Sequence, residues 1–126
     1  MVTADAIDEL QHVNNTAYLQ YVELAARGHA EACGLTTERF IELGGLFVVR
    51  RHDVTYYAPA HLGDKLVLTT WVENMSGPRC TRIVEIERDG KRVLHALTEW
   101  VWIDPTTRAP KRIPQIIWDA FGPKAE

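Results

Sequence analysis

The apolar positions follow two rhythms. Between residues 16 and 34, Tyr18, Val22, Ala25 and His29 recur at intervals of three to four, with Leu19, Ala26, Ala30 and Cys33 beside them. That spacing predicts a long helix with one apolar stripe. Asn14 or Asn15 can cap its start, because a short side-chain oxygen accepts from the free N–H groups of the first turn. Gly34 is a plausible stop. Small residues crowd this helix (Ala25, Ala26, Gly28, Ala30, Ala32) and would let another backbone come close, which suits a helix enclosed by a sheet, although a surface helix can be alanine-rich too. A second, short helix is expected over about residues 37–43, ending at Gly44-Gly45.

The period then changes. Segments 46–57, 65–74, 80–88 and 92–103 are rich in β-branched and aromatic residues and read as strands. Residues 59–64 break the first from the second, and residues 74–78 break the second from the third. Asp89-Gly90 is a two-residue hairpin signal, since both positions of a type I′ turn need positive φ. The last two strands therefore form an antiparallel hairpin. Residues 104–110 close the final strand, and Pro114 precedes a short helix over 115–121. One long helix followed by consecutive antiparallel strands predicts an α+β fold with the helix packed on one face of the sheet.

Composition narrows the field. A chain of 126 residues is expected to form a single domain spanning 1–126. With 46% hydrophobic residues it can bury a core, so disorder is excluded. A formal net charge of -3 gives no global basic surface, so no nucleic-acid partner is expected. No run of about 18 apolar residues suggests a membrane span. The first residues carry neither a basic region nor an apolar stretch of the kind that directs secretion. Cys33 and Cys80 lack disulfide-scaffold or zinc-ligand spacing, which suits free thiols in a reducing compartment. The expectation is a cytoplasmic protein with no metal and no cofactor.

The segment Asp8-Glu9-Leu10-Gln11-His12-Val13-Asn14-Asn15-Thr16-Ala17-Tyr18 resembles the D-x-x-x-H-V-N-N-x-x-Y signature of hot-dog acyl-CoA thioesterases of the 4-hydroxybenzoyl-CoA thioesterase type. Tyr21-Val22-Glu23-Leu24-Ala25-Ala26-Arg27 is similar to the family's aromatic-x-E-x-A-R helix, with one extra residue between Glu and Arg. Val54 to Ala60, followed by Gly63-Asp64-Lys65-Leu66, resembles its V-x-Y-x-x-P-A-x-x-G-D-x-L segment. The resemblance spans nearly the whole chain. It implies a hot-dog fold, an antiparallel sheet wrapped around one long central helix. It also implies homodimers or homotetramers with sites at the subunit interface. Family members carry a full first strand ahead of the Asp; only seven residues precede Asp8 here, so that strand is expected to be short or missing.

Thioester hydrolysis needs a group that attacks the carbonyl or activates water, and donors for the developing oxyanion. A carboxylate supplies the first. A helix N-terminus supplies the second, because its N–H groups point outward and its dipole favours negative charge. By the resemblance, Asp8 is the catalytic carboxylate, as nucleophile or general base. The backbone N–H of Asn15 polarises the carbonyl, a donor of a kind whose loss costs roughly 3–4 kcal/mol in the barrier. His12 is a proton carrier or, in the plainer reading, orders the loop. Asn14, Tyr18 and Glu23 are the expected substrate-binding residues. Asn14 and Asn15 could equally just cap the helix, Tyr18 could be core, and Glu23 could be structural rather than a second carboxylate that positions water. Arg50, Arg51, Arg79, Arg82 and Lys91 are candidates for the phosphates of the acyl-CoA substrate.

Other chemistries find little support. His52 and Asp53 are strand neighbours and point to opposite faces. No G-x-S-x-G elbow, G-x-G-x-x-G or P-loop occurs. A hydratase or dehydratase on the same scaffold would show D-x-N-P-x-H, whereas Asp8 and His12 are four apart and no Asn-Pro is present. A non-catalytic acyl-CoA-binding protein remains the other alternative.

Overall fold

A computed structural model describes residues 2–7 and 15–122. A 3-10 turn, Ala4–Ala6, is followed by helices α1 (Asn15–Ala32) and α2 (Thr37–Glu42). Four strands come next: β1 (Leu46–Tyr56), β2 (Val67–Ser76), β3 (Arg79–Arg88) and β4 (Lys91–Ile103). Helix α3 (Gln115–Phe121) comes after them. The strands form one antiparallel sheet in the order β1-β4-β3-β2. This is the α+β, hot-dog arrangement expected: a long helix laid along one face of an antiparallel sheet.

Local chemistry explains most boundaries. Asp89 and Gly90 take φ of 52° and 77°, the pair of left-handed residues that a tight hairpin between β3 and β4 needs. The β2–β3 connection is tighter than the sequence suggested. Ser76 already pairs with Arg79, and Gly77 at φ 58° makes the turn. Residues 74–76 are strand because the buried Met75 side chain sits opposite Cys80 and joins the core.

Irregularities in β1 and β2 set which side chains face α1. Register shifts between Val49 and Arg51, and between Val72 and Asn74, each insert one residue. In β1 the shift leaves Phe47 and Val49 on the same side as His52 and Val54, with the Arg50 and Arg51 side chains both more than half exposed. Strict alternation would have turned one of these sets to water.

The covered face of α1 consists of Ala17, Tyr18, Val22, Ala26 and Ala30, all buried. Of the small residues singled out in the sequence, Ala26 and Ala30 lie on this face, while Gly28 and Ala32 are exposed. Two apolar clusters lie along the helix. One surrounds its N-terminal half and includes Val2, Ala17, Tyr18, Val22, Val84 and Ala96. The other surrounds its C-terminal half, with Ala30, Met75, Cys80, Trp102, Ile117 and Phe121. Trp102 is fully buried against Gly45, where an added Cβ would sit 2.3 Å from the indole.

Candidate active site

The N-terminus of α1 is fixed by what its first turn buries. Tyr18 is 3% exposed, and its hydroxyl accepts from the backbone N–H of Ala60 at 3.1 Å. Its ring meets Tyr21 edge-on, with centroids 6.4 Å apart, and Tyr56 at 5.5 Å. Burial pushes the Tyr18 hydroxyl above its ordinary pKa, so it stays protonated at neutral pH. The structure thus gives Tyr18 a positioning contact: it ties α1 to the loop after β1.

That loop is itself locked. Asp64 accepts from the His61 N–H at 2.7 Å and from Arg88 Nη1 at 3.1 Å. The His61 hydrogen bond, with Arg88 behind it, holds the Asp64 carboxyl below its ordinary pKa. Arg88 also donates to the Pro59 carbonyl at 3.3 Å. The loop then grips the N-terminal segment: Val2 N–H donates to the Asp64 carbonyl at 2.9 Å, and Gly63 N–H to the Val2 carbonyl at 3.1 Å. Val2 and Ala6 are buried and Ile7 packs on the same cluster. The Gly63-Asp64 motif therefore clamps the backbone just ahead of Asp8 in the chain, while Tyr18 anchors the helix just after Asn15.

Asp8, His12 and Asn14 lie outside the described residues. Asn15 is the first residue of α1, and its side chain also lies outside what is described. Glu23 lies two turns further on. Its Oε2 is 3.9 Å from His52 Nε2, and His52 Nδ1 is 2.9 Å from Thr98 Oγ1. Tyr18 and Glu23 thus occupy successive levels of one helix, and roughly 7–8 Å of helix axis separates them.

Cross-strand registration reveals a feature that motif reading missed. His52 pairs with Thr98, and Thr98 with Arg82, so the three form one row across β1, β4 and β3 on the side facing α1. Thr98 and Arg82 are buried polar residues, at 0% and 3% exposed. Arg82 Nη1 donates to His29 Nδ1 at 2.9 Å and to Thr70 Oγ1 at 3.1 Å. Its guanidinium lies over the Phe121 ring, 5.1 Å from the centroid. A guanidinium only donates, so His29 Nδ1 must be the acceptor and the ring proton sits on Nε2, 3.6 Å from Cys33 Sγ. Burial, and secondarily Arg82, lowers the His29 pKa, in keeping with that neutral form. Strand alternation contained the signal: Cys80, Arg82, Val84 and Ile86 share a face, and only Arg82 among them is charged. Its burial corrects the expectation that Arg82 contacts CoA phosphates. Arg50 and Arg51 remain at the surface, and Arg50 is held by Glu99 at 3.3 Å.

Among the described residues no group of three His, Cys, Asp or Glu side chains could hold a metal ion. No helix among them is long and apolar enough to cross a membrane.

Comparison with known proteins decides the family. The profile of the thioesterase-like superfamily matches residues 2–121. The chain belongs to the thioesterase-like superfamily. Within it, the chain is 30% identical over 107 residues to the long-chain acyl-CoA thioesterase FadM of Escherichia coli K12, covering 81% of this chain and 78% of FadM. It is 30% identical over 122 residues to the acyl-CoA thioester hydrolase YbgC of Escherichia coli O157:H7, covering 93% of this chain and 86% of YbgC. A thioesterase from Thermus thermophilus, solved with coenzyme A and Zn, superposes with a TM-score of 0.80 at 25% identity, over 95% of this chain and 86% of that one. The superfamily match covers the clamp, the α1 N-terminus and the polar row alike.

Proposed function

We propose that this superfamily member hydrolyses acyl-CoA thioesters to free acid and CoA. Asp8 acts as nucleophile or general base, and the Asn15 N–H, at the start of α1, receives the carbonyl oxygen. The observation that carries the reading is the double anchoring around residues 8–14. Val2 is clamped by the Gly63-Asp64 loop on one side, and Tyr18 is bonded to Ala60 on the other. Both anchors belong to the same loop, so the backbone at Val2 and the first turn of α1 are tied to one mount. Electrostatic stabilisation depends on such preorganisation, because fixed donors need no reorganisation as charge develops. His12 orders the segment or carries a proton, Asn14 and Glu23 line the approach of the substrate, and Tyr18 positions the start of α1.

The protein is read as a homodimer or homotetramer with its sites at the subunit interface. Strand β1 is a sheet edge, and Val48, Tyr56 and Tyr57 along it and just beyond are 39%, 45% and 52% exposed. Exposed aromatic and β-branched side chains on an open edge favour a second copy. The free thiols Cys33 and Cys80 suit a cytoplasmic setting.

The test is thiol release from a panel of acyl-CoAs by the wild type and Asp8→Asn. Asparagine keeps the shape but is neither nucleophile nor base. The expected result is hydrolysis by the wild type and a loss of about a hundredfold or more in the folded variant, the scale of acid–base catalysis. An unaffected variant would remove Asp8 from the mechanism. A wild type inert on every thioester would turn the reading to an acyl-CoA-binding protein.

A further inference from the structure

The second half of α1, helix α2 and the sheet border a half-open cavity of about 170 Å³. Its lining is mixed: Ala30, Phe40, Phe47 and Phe121 stand beside the charged Glu23, Arg27 and Glu31. That volume is close to the ~150 Å³ of an apolar protein cavity that takes up benzene. The cavity begins at Glu23, eight residues and roughly 12 Å along the helix axis beyond Asn15, so it continues from the proposed substrate approach.

Two donor-only groups line this cavity. Arg82 is 3% exposed and donates from Nη1 to His29 and Thr70. No described carboxylate lies within ion-pair distance of it: Glu23 is held near His52, and Glu31, on the cavity rim, is exposed. His29 is neutral for the reason given above and offers no compensating charge. The second group is Trp100, whose Nε1–H is buried and has no partner among the described residues. Buried charges are ordinarily paired and buried donors satisfied. A half-open cavity with aromatic walls, a guanidinium that no described carboxylate pairs and an unused indole N–H has the make-up of a site for a compact apolar body ending in a carboxylate. Arg82 would neutralise that charge, and Trp100 would donate to one of the oxygens.

We propose that this cavity is a carboxylate-binding site, with Arg82 and Trp100 as its polar anchors and the aromatic lining around the hydrocarbon part of the ligand. The carboxylate can arrive as a free acid or as the far end of an acyl chain whose thioester lies at the α1 N-terminus. The second source rests on the thioesterase reading; the first does not.

The experiment has two arms. In the first, calorimetry measures phenylacetate and its neutral counterpart phenylacetamide against the wild type, Arg82→Gln and Trp100→Phe. The expected result is saturable phenylacetate binding at least tenfold tighter than the amide. The preference is lost in Arg82→Gln and weakened severalfold in Trp100→Phe, which keeps the bulk of the ring and guards against a misfolded arginine variant. In the second arm, kcat/KM for hexadecanedioyl-CoA is compared with that for palmitoyl-CoA. A preference of tenfold or more for the dioic substrate that falls in Trp100→Phe identifies the acyl chain as the source, and phenylacetate binding without it identifies a free acid. Hydrolysis of thioesters with no carboxylate preference in either arm overturns the cavity proposal and leaves the thioesterase reading standing. Charge-dependent phenylacetate binding by a protein inert on thioesters does the reverse. Undiminished phenylacetate affinity in folded Arg82→Gln also overturns the proposal.

Discussion

His29 on α1 and Arg82 on β3 are joined at 2.9 Å with the histidine as acceptor, so a neutral imidazole is built into the contact between helix and sheet. Protonating it would set two cations against each other beside Phe121, which stacks on the His29 ring at 5.5 Å. The folded pKa of His29 therefore lies below its ordinary 6.5. Above that value neither state binds the proton, and His29 adds no pH dependence. Below it the unfolded chain takes up a proton that the folded one refuses, and stability falls until the folded pKa is reached. Thermal unfolding between pH 7.5 and 5.5 should show this decline, and His29→Gln, which keeps an acceptor for Arg82, should flatten it. Equal slopes for the two proteins would remove His29 as its source.

Thr98 is the middle of the buried row, facing His52 on one side and Arg82 on the other. Thr98→Val keeps the volume but leaves His52 Nδ1 without its partner. A loss of about 1–3 kcal/mol in urea unfolding is expected, the cost of stranding a buried polar group. A neutral change would mean that water replaces the hydroxyl at no cost.

Gly45 and Gly28 make a matched pair. A Cβ on Gly45 would lie 2.3 Å from the buried Trp102 ring, whereas one on Gly28 meets nothing within 4 Å. Gly45→Ala should cost about 1–3 kcal/mol through overpacking. Gly28→Ala, inside α1, should gain about 0.5–1 kcal/mol through the backbone entropy of the unfolded chain. Melting temperatures that move in the same direction for both would contradict the packing described.

Asp64 acts at a distance. Removing its charge in Asp64→Asn weakens the bonds from His61 and Arg88 and loosens the clamp on Val2. Stability should drop by about 1 kcal/mol, a partly exposed charged hydrogen bond being worth less than a buried one. Thioesterase turnover should fall more than KM changes, since the substrate does not need to touch Asp64. A change confined to KM would instead place Asp64 in contact with CoA. Because its folded pKa is depressed, the contribution of Asp64 is present above its ordinary 3.8 and is lost as pH falls through the folded value.

Much of this architecture is legible in the chain because the period of apolar residues is local information. The α3 span, the four strands and the Asp89-Gly90 turn all follow from spacing and turn chemistry. The phase of β1 is less so. Arg50 and Arg51 interrupt the alternation, but only pairing with β4 shows that the interruption is a bulge that returns His52 and Val54 to the helix side. Arg82 shows the same limit at the candidate site. Its type suggests an exposed phosphate ligand, while its place between Cys80 and Val84 on one strand face puts it in the interior. The His52–Thr98–Arg82 row could not be read from any segment alone, since its members are far apart in sequence and meet only through registration. The roles proposed for Asp8 and Asn15, by contrast, come from one short motif.

Phe121 closes the row from outside, stacked on His29 and lying beneath the Arg82 guanidinium. It sits in α3, which follows all four strands in chain order. In the growing chain the sheet and α1 are therefore made before the ring that covers Arg82 and His29. A nascent chain halted before residue 121 would carry a complete sheet and an unsealed, wet seam along the middle of the protein.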